Sequence, residues 1–264
     1  MPSLTTLIDA IFAALFLVAV PIFGLISHRN LQSAIADGFF QSRRETYFRL
    51  MAVQSITATS LISYWLWAER SVSDLGITLP TGWPAVFNVL FFVGAFVALA
   101  WMRSRLRRKE ELRTEAWTQL VRFMDLLPHN KRELKISYVL AVIVGISEEL
   151  AYRGFLIWWL QTWVPFWAAV LIVSAAFGFA HLYQGRAGIL KTTGAGLIFG
   201  AIYWASGHIL LAMALHALLD AHAFRVALLL QNHFEWLDVP PPSPRASTQA
   251  PPPSATPDQC DFDD

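Results

Sequence analysis

The stretch from residue 136 to residue 160, ISYVLAVIVGISEELAYRGFLIWWL, decides the fold. It is long enough to cross the hydrocarbon core of a bilayer as a helix, which takes about 20 apolar residues. Yet it contains Glu148, Glu149 and Arg153. A charge at mid-bilayer is costly, at about 2.5–3.5 kcal/mol or more, and such residues mark functional sites by default. The stretch therefore predicts a membrane-spanning helix whose charged residues serve a function.

The composition of the whole chain favours a membrane protein. Of the 264 residues, 55% are hydrophobic and only 15% are charged, whereas soluble domains have about 25% charged residues. The 11 Trp are typical of a membrane–water interface. A net charge of +1 provides no basic field for a nucleic-acid partner. The single cysteine, Cys260, excludes an intrachain disulfide and a cysteine-based metal cluster.

Further apolar stretches approach the length of a membrane span. Together with 136–160 they predict an all-α, polytopic transmembrane helix bundle of about seven to eight spans. Very short connections join the last four stretches, so these helices are expected to be neighbours. The first stretch lacks a basic n-region, and we expect a retained span instead of a cleaved signal peptide. The further stretches are 5–27, 47–68, 84–102, 164–182, 187–205 and 208–230.

Charge and composition divide the chain into three parts. Residues 1–135 hold three spans and a basic loop, residues 136–237 hold the charged spans, and residues 238–264 form a Pro-rich tail that is predicted to be disordered. Arg residues concentrate in the loops 28–46 and 103–135, and positive residues favour the cytoplasmic side. We therefore expect an integral protein of the cell (inner) membrane, with its N-terminus outside and its C-terminus in the cytoplasm.

Two acidic residues in the fourth stretch are predicted to have different tasks. Glu149 and Arg153 are four residues apart, so they share a helix face and predict a structural ion pair. Glu148 lies about 100° around the helix from Glu149. It is therefore free to act on a ligand, or on water as a general base.

Histidines extend the predicted site to other helices. His181 ends the fifth stretch, and His216 lies in the seventh. Asp220 follows His216 by one helical turn, so it can accept a hydrogen bond from one imidazole nitrogen and leave the other for chemistry or a metal. Two intramembrane histidines with a carboxylate partner and a nearby Glu predict a functional site.

These residues fall into three motifs in a fixed order. Residues 148–153 read EExxxR, residues 177–181 read FxxxH, and residues 216–220 read HxxxD. In this order, on apolar helices, they resemble the CPBP family of intramembrane proteases. That family includes the Ras-converting CaaX endopeptidase and bacteriocin-processing or self-immunity proteins. The resemblance covers 136–230 and implies that residues 136–237 form a catalytic helix bundle.

The resemblance implies a catalytic role for three of the residues. Glu148 would be the general base that activates water, and His181 would help to hold and polarise that water. His216, with the residue four positions on, would stabilise the oxyanion of the tetrahedral intermediate.

The same resemblance implies supporting roles for the others. Glu149 and Arg153 would position the site. The family pattern has Asn where this chain has Asp220, and an ionised Asp cannot donate a hydrogen bond to an oxyanion. Asp220 is therefore either protonated or the residue that orients His216.

The implied function is an intramembrane endopeptidase that cleaves a membrane-embedded or lipid-linked protein or peptide near its C-terminus. The family is commonly labelled as metalloproteases, and Glu148, His181 and His216 are candidate ligands for Zn²⁺. The chain has no HExxH motif and these ligands would come from three helices, so a metal-free glutamate mechanism is slightly favoured. A proton-coupled transporter and a non-catalytic immunity or scaffold protein stay open as alternatives.

Overall fold

The computed structural model describes residues 3–37, 42–120 and 126–236. Every regular element in these residues is helical, and the predicted all-α fold is confirmed. The predicted disordered tail and Cys260 lie outside the described residues. The α-helices of the described residues are α1 (Leu4–Ala14), α2 (Val20–Ala36), α3 (Arg43–Trp67), α4 (Trp83–Arg108), α5 (Glu110–Leu120), α6 (Lys131–Glu149), α7 (Ile157–Leu160), α8 (Phe166–Ala180), α9 (Gly185–Ser206) and α10 (Leu210–Trp236).

Two helix junctions are π-helical. Leu15–Ala19 joins α1 to α2, and Leu150–Leu156 joins α6 to α7. Short 3-10 turns at Val72–Leu75 and Leu182–Gln184 follow α3 and α8. Each π-helical junction therefore continues one long helical rod, whereas the 3-10 turn after α8 bends the chain by 58° into α9.

The number of membrane spans differs from the prediction. Among the described residues, Leu4–Asn30, Trp83–Arg108 and Leu210–Phe234 are long and apolar enough to cross a membrane. The bent pair Phe166–Ala180 and Leu182–Ser206 raises this number to four if it forms one span. The predicted seven to eight spans are not confirmed.

The composition of the remaining helices explains this difference. α3 mixes Gln, Ser and Thr with its apolar residues, which lowers its mean hydropathy. α6 starts with four charged residues among its first five and ends on two glutamates. α8 is apolar but only 15 residues long, which is less than the roughly 20 residues that a span needs.

Basic residues collect at one end of the helix bundle, which we call the basic end. Tyr47, early in α3, donates a hydrogen bond to the carbonyl oxygen of Leu126 at 2.9 Å, and Lys191 in α9 donates to Gln119 in α5 at 2.7 Å. These bonds join the start of α3 to the chain that precedes α6, and the end of α5 to α9. The basic end carries Arg43, Arg44, Arg105, Arg107, Arg108, Lys109, Lys131, Arg132, Lys135 and Arg186.

The opposite end is held by a partly buried ion pair. Arg70, in the loop after α3, donates to both carboxylate oxygens of Asp9 in α1, at 2.7 and 2.8 Å. The hydroxyl of Tyr64 donates to the same carboxylate at 2.7 Å, and the Arg70 guanidinium lies 4.7 Å from the ring centre of Trp158. The hydrogen bonds to Asp9 raise the pKa of Arg70. Arg70 is therefore neutralised within the fold.

Candidate active site

The candidate site lies where α6 packs closely against α10. A Cβ atom on Gly145 would lie 2.9 Å from the backbone nitrogen of Ala217 and 3.0 Å from the carbonyl oxygen of Met213. Real Cβ atoms do not approach backbone atoms this closely, so glycine permits the contact between the two helices. One turn after Gly145, α6 presents two glutamates to the facing turn of α10, which carries His216.

Gly145→Ala is expected to lower the free energy of unfolding by about 1–3 kcal/mol, because the added methyl group overpacks a rigid backbone contact. Gly194→Ala is the matched control, since a Cβ at Gly194 in α9 meets no atom of the described residues within 4 Å. The control should leave stability unchanged or raise it by up to about 1 kcal/mol, because Ala favours helices over Gly. Denaturant unfolding in detergent compares the two, and equal behaviour would contradict the close approach.

Glu149 is the buried centre of the site. Its side chain is 0% exposed, and that of its ion-pair partner Arg153 is 1% exposed. One carboxylate oxygen, Oε1, accepts from Arg153 Nη1 at 2.9 Å and from His216 Nδ1 at 2.7 Å. A carboxylate only accepts hydrogen bonds, so Nδ1 of His216 carries a proton. The predicted ion pair is present, and it also fixes His216.

Asp220 does not form the predicted hydrogen bond to His216. Its Oδ2 atom lies 3.8 Å from Nε2 of His216, which exceeds hydrogen-bond distance. The side chain of Asp220 is 37% exposed. The packing of α6 against α10 brings Glu149 closer to the imidazole than Asp220 comes along its own helix, so Glu149 orients His216 instead.

Aromatic rings enclose this charged group. The Arg153 guanidinium lies 4.6 Å from the ring centre of Phe177 and 5.4 Å from that of Phe199. The imidazole of His216 stacks on Phe199, with ring centres 5.3 Å apart and planes at 17°. Arg153 also donates to the carbonyl oxygen of Gly196 in α9 at 3.2 Å. The rings and this bond restrict the orientations that the ion pair and His216 can adopt.

Glu148 faces a different direction, as the helix geometry predicts. Its side chain is 18% exposed and lines a cavity of about 630 Å³. Oε1 accepts a hydrogen bond from Nε2 of Gln54 in α3 at 3.1 Å. Oε2 is buried and has no hydrogen-bond partner in the described part of the chain, and it lies 3.8 Å from Nε2 of His216. This oxygen can therefore accept a hydrogen bond from a water molecule or a ligand.

His181 shares the cavity with Glu148. It lies at the C-terminal end of α8, and its Nδ1 donates to the carbonyl oxygen of Phe177 at 2.8 Å. A carbonyl oxygen only accepts, so Nδ1 is protonated and Nε2 is left as the acceptor of the neutral ring. The structure thus brings Glu148 and His181 to one cavity and places His216 beside Glu148.

The cavity itself is mostly apolar and opens between α2 and α3. Its lining comprises aromatic side chains from α2, the π-helical junctions and α8, together with polar side chains from α2 and α3. The aromatic residues include Phe16, Phe23, Tyr152 and Phe177, and the polar residues include His28, Asn30, Thr46 and Arg49. Such a cavity suits a chain with an apolar body and a polar end.

The three candidate zinc ligands do not form a metal-binding cluster in this geometry. Within residues 3–37, 42–120 and 126–236, no group of three or more His, Cys, Asp or Glu side chains is placed to hold a metal ion. Glu148, His181 and His216 as arranged do not fit a zinc ion, and we derive no chemical step through one.

Gln54 is the site residue that the sequence did not reveal. It lies in α3, far along the chain from the three motifs, and contacts Glu148 directly. Its only signal is position: Tyr47, Gln54 and Leu61 are spaced by seven residues, so they share one face of α3. Without the fold, nothing shows that this face meets α6.

Comparison with known proteins identifies the segment that carries these residues. Residues 131–222 match a family model described as Type II CAAX prenyl endopeptidase Rce1-like. The match starts at the first residue of α6 and ends within α10, so it includes all three motifs. No curated protein and no solved structure matches the chain.

Proposed function

We propose that the chain cleaves a membrane-embedded or lipid-linked protein or peptide near its C-terminus, because residues 131–222 match the family model of Rce1-like type II CAAX prenyl endopeptidases. The resemblance to the CPBP intramembrane proteases is confirmed by this match. The family and the membrane-spanning helices support an integral membrane protease with a protein or peptide substrate.

One observation carries the proposed chemistry: Glu148 has one oxygen held by Gln54, and the other is buried with no hydrogen-bond partner among the described residues, 3.8 Å from His216 Nε2. Water bound at this second oxygen would lie between a base and an imidazole. Glu148 removes a proton from the water, and the water oxygen attacks the peptide carbonyl carbon. His181 holds the same water through Nε2.

The tetrahedral intermediate then needs hydrogen-bond donors for its oxyanion. His216, protonated on both ring nitrogens, donates from Nε2 to the oxyanion while Nδ1 stays on Glu149. Asp220 is not needed to orient His216, because Glu149 does so at 2.7 Å. We assign its protonated form as the second oxyanion donor. Glu148 then gives its proton to the leaving amine, and the C–N bond breaks. The oxygen of the water stays on the carboxyl product, and the proton that Glu148 took from it ends on the amine product.

A liposome assay tests this function. The probe is an internally quenched peptide with an isoprenylated cysteine before an aliphatic C-terminus. The control peptide has the same sequence but lacks the isoprenyl group. We expect the wild type to cleave the lipidated probe, and Glu148→Ala, His181→Ala and His216→Ala each to abolish cleavage without loss of folded protein. Cleavage that survives in all three variants would overturn the proposal. Equal cleavage of both probes would show that the enzyme does not require a lipid group on its substrate.

We also propose that cleavage requires no metal ion, because the candidate ligands do not form a metal-binding cluster. Elemental analysis of the same purified sample tests this. Zinc well below one ion per protein in a fully active sample supports the glutamate mechanism. Activity that rises in proportion to zinc content contradicts it.

The charge distribution supports the proposed orientation, in which the basic end faces the cytoplasm. In a Cys260→Ser background, Ser73→Cys at the opposite end should react with a membrane-impermeant thiol reagent on intact cells. Ala187→Cys, in the first turn of α9 at the basic end, should react only after permeabilisation; both positions are exposed. The reverse pattern would show that the N-terminus lies in the cytoplasm.

A further inference from the structure

A side chain from outside the family segment contacts the proposed general base. Nε2 of Gln54 donates a hydrogen bond to Oε1 of Glu148 at 3.1 Å, and Gln54 lies in α3, before residues 131–222. We propose that Gln54 is a positioning residue that holds the Glu148 carboxylate in the orientation needed to activate water. This inference rests on the proposed function.

The chemistry of the two groups determines which atom of Gln54 faces Glu148. An ionised carboxylate accepts hydrogen bonds and cannot donate, so the amide nitrogen must point toward it. The carboxylate rotates about its last torsion with little resistance, because that torsion has broad preferences. A donor on Oε1 restricts this rotation and leaves Oε2 beside Nε2 of His216, at 3.8 Å. Gln54 thereby selects which oxygen receives the water.

α3 is fixed well enough to serve this purpose. Tyr47 and Leu61 lie seven residues before and after Gln54 on the same face, and both are buried. Tyr47 donates to the carbonyl oxygen of Leu126, just before α6, at 2.9 Å. At the other end of α3, the buried indole of Trp65 donates to the carbonyl oxygen of Ser71 at 2.8 Å. Gln54 therefore sits midway between two anchored ends, which keeps its amide in register with Glu148.

Two substitutions separate the donor from the shape of the side chain. Gln54→Met keeps the length and removes every polar atom, and Gln54→Glu keeps the shape but replaces the amide donor by an acceptor. Both should lower kcat for the lipidated probe peptide by about 10- to 100-fold, because a misplacement of about 1 Å can reduce the rate about 100-fold. KM should stay within about twofold of the wild type, since Gln54 is not proposed to bind substrate.

Gln161→Met and Gln161→Glu are the matched controls, because Gln161 is exposed and follows α7, away from the cavity. Both controls should keep wild-type kcat and KM. The unfolding temperature in detergent is measured for all four variants. A Gln54 variant whose kcat stays within twofold of the wild type overturns the inference. A fall in unfolding temperature together with a changed KM would indicate a packing role and also overturns it.

The failure of this inference differs from the failure of the proposed function. If Gln54→Met and Gln54→Glu cleave normally while Glu148→Ala is inactive, Glu148 acts without Gln54 and the protease proposal stands. If Glu148→Ala cleaves the probe at the wild-type rate, both proposals fall together.

Discussion

Glu148→Gln is expected to reduce cleavage of the lipidated probe by about 10²- to 10⁴-fold, the usual contribution of a positioned general base. An amide has nearly the same size as the carboxylate but cannot take a proton from water. Its carbonyl oxygen can still accept the hydrogen bond from Gln54, so the helix contact at 3.1 Å need not change. The variant should therefore fold as the wild type does and fail only in the chemical step.

Single-turnover cleavage in liposomes, together with the unfolding temperature, checks this expectation. Glu115→Gln is the matched control, because Glu115 in α5 is exposed. The control should retain wild-type rate and stability. If Glu148→Gln cleaves within about tenfold of the wild-type rate, Glu148 is not the general base, and His181 becomes the candidate for that role.

Local helix geometry made the charged residues of α6 predictable. A spacing of four residues indicated that Glu149 and Arg153 would pair, and they do so at 2.9 Å. A separation of about 100° indicated that Glu148 would face elsewhere, and it faces the cavity. These relations hold within one helix, so the sequence alone determines them.

Residue spacing within one helix does not predict which residues meet between two helices. Along α10 the nearest carboxylate to His216 is Asp220, one turn away, yet the structure gives the hydrogen bond to Glu149 on α6. The close approach at Gly145 decides this outcome, and it depends on how two distant segments pack. Gln54 escaped prediction for the same reason, since its partner Glu148 lies 94 residues further along the chain.

The number of spans was harder to predict than the fold class. Helix formation follows from long apolar stretches, and every regular element in the described residues is helical. Whether such a helix also crosses a bilayer depends on its length and hydropathy together. α3 and α6 contain polar and charged residues, such as Gln54 and Glu148 at the cavity, and neither helix is among those long and apolar enough to cross a membrane.

Arg153→Met is expected to destabilise the protein by about 3–5 kcal/mol, because it leaves the buried Glu149 carboxylate without its cationic partner. The side chains of this pair are 1% and 0% exposed, so solvent cannot replace the lost interaction. Arg186→Met, at an exposed position in α9, should change stability by no more than about 0.5 kcal/mol. Denaturant unfolding in detergent measures both, and similar values for the two variants would contradict the importance of the buried pair.

The double variant Arg153→Met/Glu149→Gln separates stability from function. Removing the buried charge along with its partner should recover part of the lost stability, since a neutral pair of similar volume avoids an unpaired buried charge. Cleavage should nevertheless stay low. The amide oxygen can still accept from Nδ1 of His216, which lies 2.7 Å from the carboxylate in the wild type, but it has no negative charge to stabilise the imidazole protonated on both nitrogens. If the double variant regained both stability and cleavage, Glu149 would be only the counter-ion of Arg153. Recovery of stability alone would show that the same carboxylate both balances Arg153 and stabilises the charged form of His216.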